Sequence, residues 1–162
     1  MKIVDVTIKD VGTISFELWI HNAPQAISNL LEVINLRKYD NKPIERYEPN
    51  FVLQPLFFDG LDPIIDTMVD LELNKDIPFD RGIVAMAGTN TQASGSQFFI
   101  TLQRTPRLDN HFTIIGKVIK GDDILQSLEQ RDVIECIEPF TQFTYHTFKE
   151  DVIVESVRVD DI

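Results

Sequence analysis

Apolar and polar residues alternate along Gly12 to Ile20. Ile14, Phe16, Leu18 and Ile20 fall on one side and Ser15, Glu17 and Trp19 on the other, the period of a strand with one buried face. Lys2 to Ile8 reads as its partner, and Asp10-Val11-Gly12 between them supplies a turn, so the pair predicts a hairpin. The period then becomes helical. Ile27, Leu30, Leu31 and Ile34 form one stripe at helical spacing. Asn22 is the expected N-cap, Pro24 suits the first turn, and Gln25 sits where a capping box wants it. Arg37-Lys38 falls near the end, where the helix dipole favours cations, and Asn41-Lys42-Pro43 breaks the helix.

Beyond that break come short apolar segments at Asn50–Phe58, Gly82–Ala87, Gln97–Leu102, Phe112–Val118 and Val152–Val159. Gly, Pro, Asn and Asp clusters separate them, as in antiparallel sheet proteins. A second helix is expected from Asp122, its N-cap, to about Arg131, with Ile124, Leu125 and Leu128 inward. Many short strands and two helices predict a mainly β fold, a closed barrel with helices packed on its ends. No repeat or low-complexity linker interrupts the chain, so residues 1–162 read as one domain. The stretch 132–150 is the least readable.

The 162 residues carry a formal net charge of −11, with 43% hydrophobic and 25% charged residues. That composition is ordinary for a folded domain able to bury roughly two-thirds of its unfolded surface. The charge is spread evenly, −6 over residues 1–81 and −5 over 82–162. Such a surface repels nucleic acid and anionic membranes, and neither is expected as a partner. Cys136 is the only cysteine, which excludes an internal disulfide and any multi-cysteine metal site. Met1 to Asp5 has no apolar core of signal-peptide length, and no run reaches the roughly 18 apolar residues of a membrane span. A soluble, cytoplasmic monomer is expected.

Charge matters most where it is missing. Gly82 to Gln103 holds no Asp, Glu, Lys or Arg, and neither does Asn50 to Phe58. Buried strands alone explain such runs, but the longer one is also rich in neutral polar residues, from Thr89 to Gln97. That mixture suits an apolar floor with converging hydrogen-bonding groups. His21, His111 and His146 lie far apart with no metal-ligand spacing, and no Gly-x-Ser-x-Gly, GxGxxG or P-loop occurs. Metal, nucleophilic and nucleotide chemistries are disfavoured, and no cofactor is expected.

Gly95-Ser96-Gln97-Phe98-Phe99-Ile100-Thr101 is far more specific. With Arg81 to Ala87 before it, and Leu108-Asp109 and Gly116-Lys117-Val118 after it, this run closely resembles the cyclophilins, which are peptidyl-prolyl cis–trans isomerases. Gly12 to Leu18 resembles their second strand, Pro24, Asn29 and Leu30 their first helix, and Arg46, Pro49, Phe51 and Gln54 their catalytic strand. The likeness covers about residues 12–131 and, more loosely, 152–158. It implies a closed eight-stranded antiparallel barrel capped by two helices, acting on Xaa-Pro bonds in peptides or proteins and assisting folding. Arg46, Phe51 and Gln54 fall at the catalytic positions. Phe99 and Leu108 would line a proline pocket with Phe51, and Val52 stands where methionine is common. Gln97 and Gln54 would hold the peptide backbone, while Ala87 and Gly88 would offer main-chain groups. Read one by one and apart from the likeness, Phe51, Phe99 and Leu108 are better explained as core, Arg46 as a surface arginine on a strand and Gln97 as a structural amide; the combined motif reverses this for the set.

The chain also departs from the family. Phe112 stands where a histidine or tyrosine is usual, Gly88 replaces a common asparagine, and Pro55 to Phe58 replaces a Gly-Gly-Asp. Arg107 replaces a Trp or His that contacts cyclosporin, so weak or no binding of that drug is expected. Glu48 lies two residues after Arg46, on the same strand face, and is expected to pair with it and compete with substrate. A catalytically weak proline-peptide binding module is therefore the second reading.

Overall fold

The computed structural model describes residues 1–55 and 66–161. The expected opening hairpin forms from β1 (Lys2–Ile8) and β2 (Gly12–Leu18). Strand β2 stops at Leu18, so Ile20 is exposed and not part of the buried face. Helix α1 (Pro24–Asn35) buries Ala26, Ile27, Leu30, Val33 and Ile34, with Leu31 at the margin of the stripe.

Neither helix is capped as expected. Glu72, 46 residues beyond Ala26, supplies the start of α1: its carboxylate accepts the backbone N–H groups of Gln25 and Ala26 at 3.2 and 2.9 Å. The Asn22 amide instead donates to the Ile114 carbonyl and accepts from Asn74. Arg37-Lys38 lies past the last turn. In α2 (Asp122–Leu128) the cap position belongs to Gly121, at φ +89°, because Asp122 is held by Arg81 Nε at 2.9 Å. Among the described residues, no helix is long and apolar enough to cross a membrane.

After α1 come β3 (Lys42–Pro43), β4 (Arg46–Glu48), β5 (Val52–Gln54), β6 (Met68–Asp70), β7 (Ile83–Gly88), β8 (Gln92–Thr101), β9 (Ile114–Lys120) and β12 (Ile153–Asp161). Strand β8 begins five residues earlier than the apolar pattern suggested, and β9 two residues later. Of the segment read as Asn50–Phe58, only Val52–Gln54 is strand, and residues 56–58 lie outside the described residues.

The ten strands make one antiparallel sheet in the order β3-β12-β1-β2-β9-β7-β8-β5-β4, with β6 also on β8. This sheet is a curled half-barrel and corrects the expected closed eight-stranded barrel. Its edge strands are consecutive in the chain but do not pair. Between them, Ile44 N–H donates to Val152 and Glu45 N–H to Pro55, so the connection serves β12 on one side and β5 on the other. The stretch 132–150 is a separate hairpin of β10 (Val133–Ile137) and β11 (Thr144–Phe148). Its Phe148 ring stacks on Tyr47 of β4, with centroids 4.6 Å apart.

Two apolar clusters share the strands. On β7, Val84 and Met86 enter the main core while Ile83 and Ala85 enter a second cluster; on β8, Phe98 and Ile100 enter the first and Phe99 the second. Period-two alternation sends adjacent side chains to opposite faces. Both faces are covered, which is why a charge-free run spans these strands.

Candidate functional site

The second cluster is the floor of a cavity of about 370 Å³. All ten residues singled out in the sequence line it: Arg46, Phe51, Val52 and Gln54 from the β4–β5 hairpin, Ala87 and Gly88 from β7, Gln97 and Phe99 from β8, and Leu108 and Phe112 beyond them. Arg46 is the one charged residue among the described lining.

Local structure explains the convergence. Pro49 followed by Asn50 at φ +62° makes a tight turn in which Phe51 N–H donates to Glu48. The resulting register sets Arg46 opposite Gln54 and Glu48 opposite Val52. Tyr47 and Leu53, on the other face, enter the main core. The strand is thus anchored from behind while Arg46 faces the cavity.

Phe99 is 5% exposed; its ring stacks over Phe79 at 6.3 Å and meets Phe112 edge-on at 5.6 Å, with the planes at 89°. Phe112 therefore remains as an aromatic wall without a polar handle, and His111 is not in the lining. Leu108 ends a single 3₁₀ turn, Pro106–Leu108. Asp109 fixes that turn by accepting Phe79 N–H at 2.9 Å and two guanidinium bonds from Arg104 at 2.7 and 2.6 Å. These partners, the Arg104 guanidinium foremost and then the Phe79 N–H, hold the Asp109 carboxyl down to about 2. At the rim, the Arg107 guanidinium lies over Phe51, 4.3 Å from the ring centroid.

The polar side is built from amides and main chain. Gln54 Nε2 approaches Gln97 Oε1 at 3.5 Å, and Ser94 Oγ accepts Gln97 N–H at 2.9 Å. At Gly88 the β7–β8 register slips, and a Cβ there would overlap the Gln92 carbonyl oxygen. Gly88 itself presents only main-chain groups to the cavity.

The expected pairing of Arg46 with Glu48 is present, Nε to Oε2 at 2.9 Å, with the two side chains 19% and 14% exposed. Met68, Thr89 and Ser94 also line the cavity. Thr89 and Ser94 sit in the neutral polar run and were detectable there, whereas Met68 comes from a three-residue strand with no sequence signal. Phe143 and His146 of the β10–β11 hairpin reach Arg46 and Glu48, and nothing in the unreadable stretch foretold them.

A mainly β fold carrying an apolar cavity, with one guanidinium and several amides among its described lining, narrows the class of protein. The comparisons make the class specific. Residues 3–159 match the family described as cyclophilin type peptidyl-prolyl cis-trans isomerase/CLD, and the chain belongs to that family. It is 32% identical over 146 residues to peptidyl-prolyl cis-trans isomerase-like 3 of Rhizopus delemar, covering 83% of this chain and 86% of the relative. It is 35% identical over 123 residues to peptidyl-prolyl cis-trans isomerase cypE of Dictyostelium discoideum, covering 73% and 79%. A crystal structure of a cyclophilin type peptidyl-prolyl cis-trans isomerase from Cryptosporidium parvum, determined in the presence of the dipeptide Ala-Pro, superposes with a TM-score of 0.79. It shares 25% identity over 99% of both chains.

Proposed function

We propose that this isomerase seats the proline of an Xaa-Pro segment against Phe99, Val52 and Leu108 and uses Arg46 to stabilise the twisted bond. The observation that carries the reading is the single guanidinium facing an apolar floor, with Gln54 directly across the strand pair. An Xaa-Pro bond is planar by resonance, and its rotation is opposed by about 18–20 kcal/mol. Twisting leaves the prolyl nitrogen pyramidal with an available lone pair. A donor aimed there is nearly idle in the ground state and strengthened at the transition state, the condition for raising kcat. Arginine is always protonated and presents a fork of N–H donors. Gln54, Gln97 and the main chain at Ala87-Gly88 hold the peptide while one end of the bond turns, and Phe51 closes the ring's side. No proton transfer is required, which suits a lining without Asp, Glu, His, Cys or Lys among the described residues.

The Ala-Pro dipeptide named with the Cryptosporidium structure supports proline-containing peptides as the substrate class. The Glu48 contact on Arg46 supports a slow enzyme, close to the binding-module alternative. Action as a monomer in the cytoplasm and weak binding of cyclosporin, with Arg107 over Phe51, complete the reading. NMR exchange spectroscopy on a short Xaa-Pro peptide decides between turnover and mere docking. Faster cis–trans exchange is expected; shifted resonances with unchanged exchange would reduce the site to a binding module.

A further inference from the structure

The β10–β11 hairpin has no part in the isomerase reading, yet it lies against Arg46. Antiparallel pairing sets His146 opposite Glu135. His146 Nδ1 lies 2.6 Å from Glu48 Oε1, and its backbone N–H donates to Oε2 at 3.3 Å. The same Oε2 receives Arg46 Nε, and the Phe143 ring lies 5.3 Å from the guanidinium carbon. A carboxylate only accepts, so the proton of the imidazole contact is on Nδ1.

We propose that His146 is a positioning residue of the isomerase site, holding Glu48 on the Nε edge of Arg46 and thereby lowering turnover. The inference rests on Arg46 being the catalytic donor. A carboxylate on the guanidinium offsets part of the positive potential that acts on the prolyl nitrogen. It also restrains a group that must follow that nitrogen as it pyramidalises. An exposed Glu–Arg pair is weak because water competes for both partners. Here the exposure is 14% and 19%, and the imidazole covers one oxygen of Glu48 while its backbone N–H engages the other. Without the side chain of His146, water reaches the carboxylate and Glu48 can leave Arg46.

The test uses the full chain and an Ala-Pro-containing peptide, with kcat and KM from exchange spectroscopy and folding checked by thermal unfolding. His146→Ala is expected to raise kcat about threefold, the effect of losing one partly exposed, water-competed contact to a carboxylate. KM stays within about a factor of two, because the affected group acts mainly at the transition state. His146→Asn, whose amide donates in place of Nδ1, keeps the wild-type rate. Glu48→Gln raises kcat at least as much, and His146→Ala adds nothing in that background. A folded His146→Ala with unchanged or lower kcat overturns the proposal, as does an undiminished effect in the Glu48→Gln background. If His146→Ala does not fold, Glu48→Gln decides, and a rate at or below wild type overturns it. Exchange that survives Arg46→Ala would instead defeat the functional reading beneath it.

Discussion

Replacing Phe99 by alanine separates the floor of the site from the main core of the fold. The ring is almost fully buried, belongs to the second cluster, and contacts Phe79 and Phe112 in two different geometries. A buried Phe→Ala change costs about 3–5 kcal/mol. One side of this ring faces the cavity, so the lower end, about 3 kcal/mol, applies. For a chain of this size each kcal/mol lowers Tm by about 2–4 °C, giving a fall of roughly 6–12 °C. The proline ring also loses its main apolar support, worth about 1.5–2 kcal/mol, so Kd for a proline peptide rises about 10- to 30-fold. Differential scanning calorimetry and an NMR titration read the two effects on one sample. A Tm within a degree of wild type would refute the packing argument. A large Tm loss with undiminished peptide affinity would show that the proline sits elsewhere.

Gly88→Ala forces a Cβ into the Gln92 carbonyl, and overpacking against backbone costs about 1–3 kcal/mol; chemical denaturation should show it, with peptide affinity reduced as the β7–β8 turn shifts. Asp109→Ala releases the Leu108 turn, so peptide affinity should fall severalfold while the main core, reported by Tyr47 and Phe148 resonances, is undisturbed. Because the folded Asp109 carboxyl is held at about 2, below its unfolded value of about 3.9, its contribution to stability is fully present above pH 4. It declines as pH falls between the unfolded and the folded value and is gone below the folded one; acid titration of Asp109→Ala against wild type should therefore converge below about pH 2. Arg107 lies over Phe51, and if its guanidinium is what disfavours cyclosporin, Arg107→Trp should strengthen inhibition by that drug relative to wild type; equal inhibition would sever Arg107 from drug binding.

The sequence showed most where one residue alone sets the outcome. Strand alternation from Ile14 to Leu18 and the stripe of Ile27, Leu30 and Ile34 survive in the fold because burial of those side chains is what drives each element. The charge-free run marked the site because β7 and β8 are covered on both faces, by core on one side and cavity floor on the other. Features made by distant partners were not legible. Glu72 caps α1 from across the chain, Arg81 draws Asp122 from its expected capping role, and the open sheet results from Ile44 and Glu45 facing different neighbours. Glu48 was visible two residues from Arg46, but His146 reaches it across 98 residues, through a hairpin whose alternation is weak on its own.

Arg46 is proposed to act on the twisting bond and to contribute little to holding the peptide. Exchange rate and Kd for one Xaa-Pro peptide, measured together in wild type and Arg46→Ala, test it directly. Turnover in Arg46→Ala is expected to fall about 100-fold, typical of removing one preorganised transition-state donor, with Kd changed by less than about threefold. Undiminished exchange in Arg46→Ala, or a loss explained entirely by weaker binding, would contradict it.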